Sequence, residues 1–215
     1  MEINRKNTAS FDVDAQKGFT PICPDELPVE DGDEIAEKLN RQAEFAKLRV
    51  GSKDAHANGS YWEASKQQPQ FSPVVGLPNV DIRWNRHCVI GTKGGELLDG
   101  LPKETDYDYF VWKGIESYLH PYSAIYHTLD KKLSTGMVEY LFSNEIDTVI
   151  VGGLATDYCV KETALDLKKA GFDVIVNLDA CRGITSETTT AAVLEMQDKG
   201  IVVVKDLTDV ISLGD

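Results

Sequence analysis

The hydrophobic pattern of this chain changes period repeatedly, and the order of those changes predicts its architecture. The most continuous apolar run, Thr148–Val151, is β-branched and shows no polar alternation, which is how a strand buried on both faces of a parallel sheet reads. Gly152 and Gly153 are expected to end it, and Thr156 or Asp157 to cap a helix that runs to about Lys169 and stops at Gly171. Further short strands are read at Ala9–Val13, Lys47–Gly51, Asp108–Trp112, Asp173–Val176 and Ile201–Val204. Helices are expected at Gly32–Lys47, Ser134–Ser143 and Glu187–Lys199. In the first of these, Ile35, Leu39, Gln42 and Phe45 fall on or near one face, and Asp31 and Asp33 are available as caps. Six strands alternating with helices imply right-handed crossovers. The expected class is α/β: a three-layer α/β/α arrangement with an open, six-stranded, mostly parallel sheet and helices on both faces.

One long stretch breaks the alternation. From Asn58 to Gly100 the chain is rich in Pro, Gly, Gln, Asn and Trp without a sustained period, and a segment of this kind in a compact domain reads as a binding loop. With 215 residues the chain is long enough for one sizeable core and short for two, so residues 1–215 are expected to form a single domain. The polar start, MEINRKNTASFDVDAQ, lacks the apolar stretch of a secretory signal, and no apolar run approaches a membrane span; a cytoplasmic setting is expected. Cys23, Cys88, Cys159 and Cys181 lie far apart with no CxxC pair, which argues for reduced thiols. A formal net charge of −13, from 22 Lys and Arg against 35 Asp and Glu, argues against nucleic acid as a partner.

In open sheets of this class, ligands bind beyond the C-terminal ends of the strands. Asp14, Asp54, His56, Lys113 and Cys159 each follow a predicted strand, which places five chemically capable side chains at one edge. Cys159 falls in the first turn of its helix, where backbone N–H groups favour a thiolate, so its thiol is expected to ionise more readily than a free cysteine. The alternative is a small apolar residue packing helix on sheet. Asp14 could carry the proton that covalent chemistry needs moved, and Lys113 could hold a positive charge beside both groups. Asp54 and His56 flank one residue and so point to the same side of extended backbone; with His87 they make a carboxylate and two imidazoles suited to zinc, iron or manganese. His120 and His127 have no acidic or cysteine partner at useful spacing and read as structural or exposed. Phe19, Trp84 and Tyr122 are candidate walls for a flat ring, or simply core.

Several motifs in order carry a resemblance. These are VDAQKGF at Val13–Phe19, DAH at Asp54–His56, WNRHCVIGTKGGE at Trp84–Glu96, WKG at Trp112–Gly114, YSAI at Tyr122–Ile125, and GGLATDYCVKETALD at Gly152–Asp166. Together they resemble the nicotinamidase/pyrazinamidase branch of the isochorismatase-like cysteine hydrolases, over nearly the whole chain. The resemblance implies an amidohydrolase acting on a linear amide, in which Asp14, Lys113 and Cys159 form a catalytic triad and one divalent metal ion, zinc before iron or manganese, is bound by Asp54, His56 and His87. It further implies a cis peptide at Leu154–Ala155 that turns the Ala155 N–H inward to form an oxyanion hole with that of Cys159. Phe19, Trp84, Tyr122 and Leu154 would contact the substrate. The implied reaction converts nicotinamide, and pyrazinamide as well, to the acid and ammonia through a thioester, as a step of NAD salvage, in a homo-oligomer. Two departures stand out. Some members take a further metal ligand from the loop after DxH, where this chain offers only Glu63, and the usual QNDF reads QKGF at Gln16–Phe19. The rival readings are an isochorismatase-like hydrolase of an N-carbamoyl compound or isochorismate, which has no evident use for the metal set, and a catalytically silent binding protein of the same fold.

Overall fold

The structure is a computed structural model that describes residues 2–208 and 210–213, with side chains described to residue 210. Its strands are β1 (Glu2–Asn4), β2 (Thr8–Val13), β3 (Leu48–Asp54), β4 (Tyr109–Lys113), β5 (Thr148–Leu154), β6 (Asp173–Arg182), β7 (Val202–Val204) and β8 (Ile211–Leu213). Six of them form one sheet in the order β4-β3-β2-β5-β6-β7, with every pairing parallel. The helices are α1 (Ala36–Ala43), α2 (Met137–Ser143), α3 (Lys161–Ala170) and α4 (Ser186–Asp198).

The apolar runs explain which strands are central. All six residues of β2 are buried, as are all but the first of β5, so neither face of this pair meets water. From β2 the chain steps outward through β3 to β4, then crosses back to β5 and continues the other way. The strand order therefore reverses between β2 and β5, which is where a ligand crevice opens. Val13 pairs with Gly153 and β5 runs one residue further, so Asp14 and Ala155 leave the sheet at the same edge.

The glycines do not end the central strand as expected. β5 continues through Gly152 and Gly153 to Leu154, because both glycines are needed for close packing rather than for a turn. A Cβ on Gly153 would stand 1.9 Å from the Val13 carbonyl oxygen, and its φ of +132° suits only glycine. The expected helix at Gly32–Lys47 is also shorter. A 3-10 turn at Gly32–Glu34 precedes α1, and neither turn nor helix has a side-chain cap; Asp31 is itself left-handed, at φ 55°. α1 buries Leu39 and Gln42, and the Gln42 amide donates to Ser10 Oγ (3.1 Å) and the Ile150 carbonyl (3.2 Å), tying the helix to the central strands. The Asn58–Gly100 stretch is irregular, held by isolated bridges such as Glu63 with Trp84 and His56 with Val89, and it covers the strand ends with the fully buried Trp62. The parallel pairing of β1 with β8 has no counterpart among the sequence-derived elements.

These two constraints separate in a glycine test. Gly171, at φ 108°, closes α3 with nothing within 4 Å of an added Cβ, so Gly171→Ala should cost only the left-handed backbone, about 1–2 kcal/mol. Gly153→Ala adds a backbone collision that no side chain can relieve, and should lose well over that amount in urea unfolding. Equal costs for the two would contradict the close-packing account.

Candidate active site

Four strand ends supply the reactive groups. Asp14 directly follows β2 in a left-handed conformation (φ 45°); its N–H donates to the Ser52 carbonyl (3.1 Å), and the Ser52 hydroxyl donates to Asp14 Oδ1 (2.7 Å). Lys113 is the last residue of β4 and fully buried. Its ammonium lies 2.9 Å from Asp14 Oδ2, against Asp54 Oδ1, 3.2 Å from the Pro121 carbonyl and 3.7 Å from Cys159 Sγ. Cys159 sits in a single π-helical turn, Thr156–Val160, between β5 and α3. The Leu154–Ala155 peptide is cis.

That turn corrects the capping expectation. Neither Thr156 nor Asp157 caps the helix that follows; the Asp157 carboxylate instead accepts from the Ile184 N–H (3.1 Å) and the Thr188 hydroxyl (2.5 Å), anchoring the start of α4. The thiol expectation also fails in the free protein. Burial pushes the Cys159 thiol well above its usual range, Lys113 offsets only part of this, and the Asp14 and Asp54 charges push it further up. The resting group is a neutral thiol.

The two carboxyls beside Lys113 are driven apart. Burial raises Asp14 above the ordinary carboxylate range, against the pull of Lys113. Burial also opposes ionisation of Asp54, but the Lys113 ammonium beside it favours the charged form, and that carboxyl is held well below its usual value. Lys113 itself is opposed by burial, yet Asp14, Asp54 and Cys159 hold its ammonium well above the usual range.

Asp54 ends β3, and its Oδ2 lies 3.5 Å from His56 Nε2 and 3.8 Å from His87 Nε2. His56 Nδ1 faces the Gly114 carbonyl at 3.1 Å and His87 Nδ1 faces the Asn85 carbonyl at 2.6 Å. Carbonyls only accept, so in the neutral rings each Nδ1 carries the proton and each Nε2 presents a lone pair toward the carboxylate. Burial keeps His87 neutral by pulling it down. Lone pairs converging on a carboxylate in a dry site call for a cation between them, so this donor set fits a divalent metal. Gly114 enables the arrangement: at φ 71°, a Cβ there would lie 2.6 Å from the His56 ring.

Cys159 and His87 both line a small cavity. Phe19, Trp84 and Tyr122, candidate walls or core in the sequence, line it together with Asp54 and Ala155. Trp84 Nε1 donates to the Tyr122 hydroxyl (3.1 Å), which donates to Asp81 (2.7 Å), so these two walls are fixed to each other. Leu154 is not a wall: its side chain is fully buried in the core behind the strand end.

The isochorismatase domain family matches this chain over residues 8–206. A nicotinamidase of Acinetobacter baylyi is 36% identical over 180 residues, covering 83% of this chain and 82% of that protein. The chain belongs to the isochorismatase family, on its nicotinamidase/pyrazinamidase branch. The structure of a nicotinamidase/pyrazinamidase from Acinetobacter baumanii superposes with a TM-score of 0.85 at 34% identity, covering 95% of this chain and 98% of that one. A Pyrococcus horikoshii pyrazinamidase in complex with zinc superposes at 0.74 and 30% identity, covering 92% and 98%. Within this isochorismatase-family site, Leu27, Tyr158, Ile184 and His120 line the cavity without having been read from the sequence as its walls. Read from the sequence as structural or exposed, His120 is buried beside His56 and His87, while Glu63 is occupied elsewhere, its Oε1 accepting from the Gly59 and Ser60 N–H groups at 2.9 and 3.0 Å.

The electrostatics predict a pH signature for Lys113→Met. Without the ammonium, burial raises both Asp14 and Asp54, so ionising them opposes folding at a higher pH than in the parent. The stability gap between parent and variant should therefore widen as pH rises from acid toward neutral, reaching about 3–5 kcal/mol, in denaturant unfolding with chelator present. A gap that is the same at every pH would contradict the pairing.

Proposed function

We propose that this chain is an amidohydrolase that converts nicotinamide to nicotinate and ammonia. The observation that carries the reading is a small cavity lined by Cys159, Asp54 and His87, with Lys113 and Asp14 packed against Cys159 and Asp54. Nicotinamide has matching polarity: a flat ring with a basic nitrogen on one side and a carboxamide on the other. The cavity is small and walled by the aromatic rings of Phe19, Trp84 and Tyr122, which suits one flat ring. The curated relatives and solved neighbours named nicotinamidase support the same substrate, and pyrazinamide, with the same ring shape and amide, is expected to be hydrolysed too.

Asp54, His56 and His87 would hold one divalent ion, zinc being the first expectation, which when bound supplies a Lewis-acid contact for the ring nitrogen. The chain's own groups carry the covalent steps. Asp14, raised by burial, is a stronger base than an ordinary carboxylate, and it takes the Cys159 proton as sulfur attacks the amide carbon. The Ala155 and Cys159 N–H groups stabilise the oxyanion. The C–N bond breaks as Asp14 returns the proton to departing ammonia, leaving a nicotinoyl thioester on Cys159. Asp14 then takes a proton from water as it attacks the thioester, and the proton returns to the sulfur. Lys113 holds the Asp14 geometry and offsets charge on sulfur. The opposite drift of the two carboxyls suits this division, with Asp14 the proton carrier and Asp54 permanently ionised. We assign the activity to NAD salvage in a reducing, cytoplasmic setting, in keeping with four free cysteines. No helix among the described residues is long and apolar enough to cross a membrane.

Ammonia release from nicotinamide by the purified protein tests the reading. Cys159→Ala should abolish it, Asp14→Asn should lose about 10²–10⁴-fold in kcat with binding retained, and Cys23→Ala, Cys88→Ala and Cys181→Ala should remain active. Because the resting thiol is raised, iodoacetamide alkylation of Cys159 should become fast only in alkaline solution, and at still higher pH in Lys113→Met. Full turnover in Cys159→Ala, or no ammonia released by the parent protein, would overturn the function.

A further inference from the structure

His120 is the buried polar group this chemistry leaves unexplained. It is 3% exposed, and neither ring nitrogen has a hydrogen-bond partner among the described residues. A buried imidazole without partners forfeits its hydration for nothing in return, so the position calls for a ligand. One nitrogen from each of His56, His87 and His120 lies within 4.8 Å of the others. A cation about 2.1 Å from each of four ligands holds neighbouring ligands about 3.4 Å apart, so closure of at most about 1.4 Å completes a shared shell.

We propose that His120 is a further direct ligand of the divalent metal, making the site one carboxylate and three imidazoles. The inference rests on the metal reading above. It accounts for the lack of a ligand in the loop after His56, where Glu63 caps its own turn. The segment carrying His120 is held in place on three successive residues. The His120 N–H donates to the Asn79 carbonyl (3.0 Å), the Pro121 carbonyl accepts from Lys113 (3.2 Å), and the Tyr122 hydroxyl donates to Asp81 (2.7 Å). The ring lies near-parallel to those of His56 and Trp84, with centroids 5.2 and 6.0 Å away. The imidazole is thus preorganised at the point where His56 and His87 converge. The same contacts couple the ligand to Lys113 through one residue of backbone.

The test is metal binding, read without turnover. Zinc affinity by chelator competition and the visible spectrum of the cobalt(II)-loaded protein are compared for the parent, His120→Ala, His120→Gln and His127→Ala, each first shown to be folded by circular dichroism. The proposal expects zinc affinity to fall by at least about tenfold in His120→Ala, a changed cobalt spectrum in both His120 variants, and parent behaviour in His127→Ala. Unchanged affinity and spectrum in His120→Ala, with a raised KM for nicotinamide, would overturn it and place the ring against substrate instead. Failure of the parent protein to bind zinc or cobalt would overturn the metal reading itself, a separate outcome.

Discussion

The Lys113 ammonium, wholly buried at the end of β4, is the interaction on which the site depends. Alone in a dry interior it would be strongly destabilising. It is tolerated because Asp14 from β2 and Asp54 from β3 meet it directly and Cys159 lies within reach. Each of those groups arrives from a different strand end, so the sheet order is what assembles the charge cluster. The cluster in turn joins two halves of the chemistry, since one carboxylate on the ammonium is the proposed base and the other the proposed metal ligand. The strand register matters for the same reason: Asp54 pairs with Lys113 across β3 and β4, and a shift by one residue would part them.

Burial explains why the resting state differs from a free, ionised thiol. A helix N-terminus and a lysine both favour thiolate, but Cys159 is desolvated and faces carboxyls, and those terms win. The nucleophile is therefore kept neutral until a base acts on it. A buried Asp14 with raised basicity is suited to that, and moving one proton between two adjacent groups avoids creating an isolated charge in the cavity.

The sequence disclosed the parts of this arrangement that follow from local pattern. Continuous β-branched runs marked the central strands, and the residues after them marked the reactive edge, so Asp14, Asp54, His56, Lys113 and Cys159 were all legible. Features set by distant packing were not. The extension of β5 through Gly152 and Gly153 depends on how closely β2 approaches, and the diversion of Asp157 from cap to α4 anchor depends on where Ile184 and Thr188 fall. Leu154, a substrate contact implied by the resemblance, has its side chain buried in the core. His120 carried no signal because no acidic or cysteine partner stands at useful spacing from it; its neighbours His56 and His87 come from other segments folded over the strand ends.

The central claim is that Cys159, held beside Lys113 and Asp14, bonds covalently to the amide carbon. Acid quenching of the protein during steady-state turnover of nicotinamide, followed by intact-mass and peptide mass spectrometry, addresses it directly. The account predicts a nicotinoyl adduct on the peptide carrying Cys159 and accumulation of the same adduct when water attack is slowed at low pH. Rapid ammonia release with no adduct at any quench time, or an adduct on another residue, would contradict it.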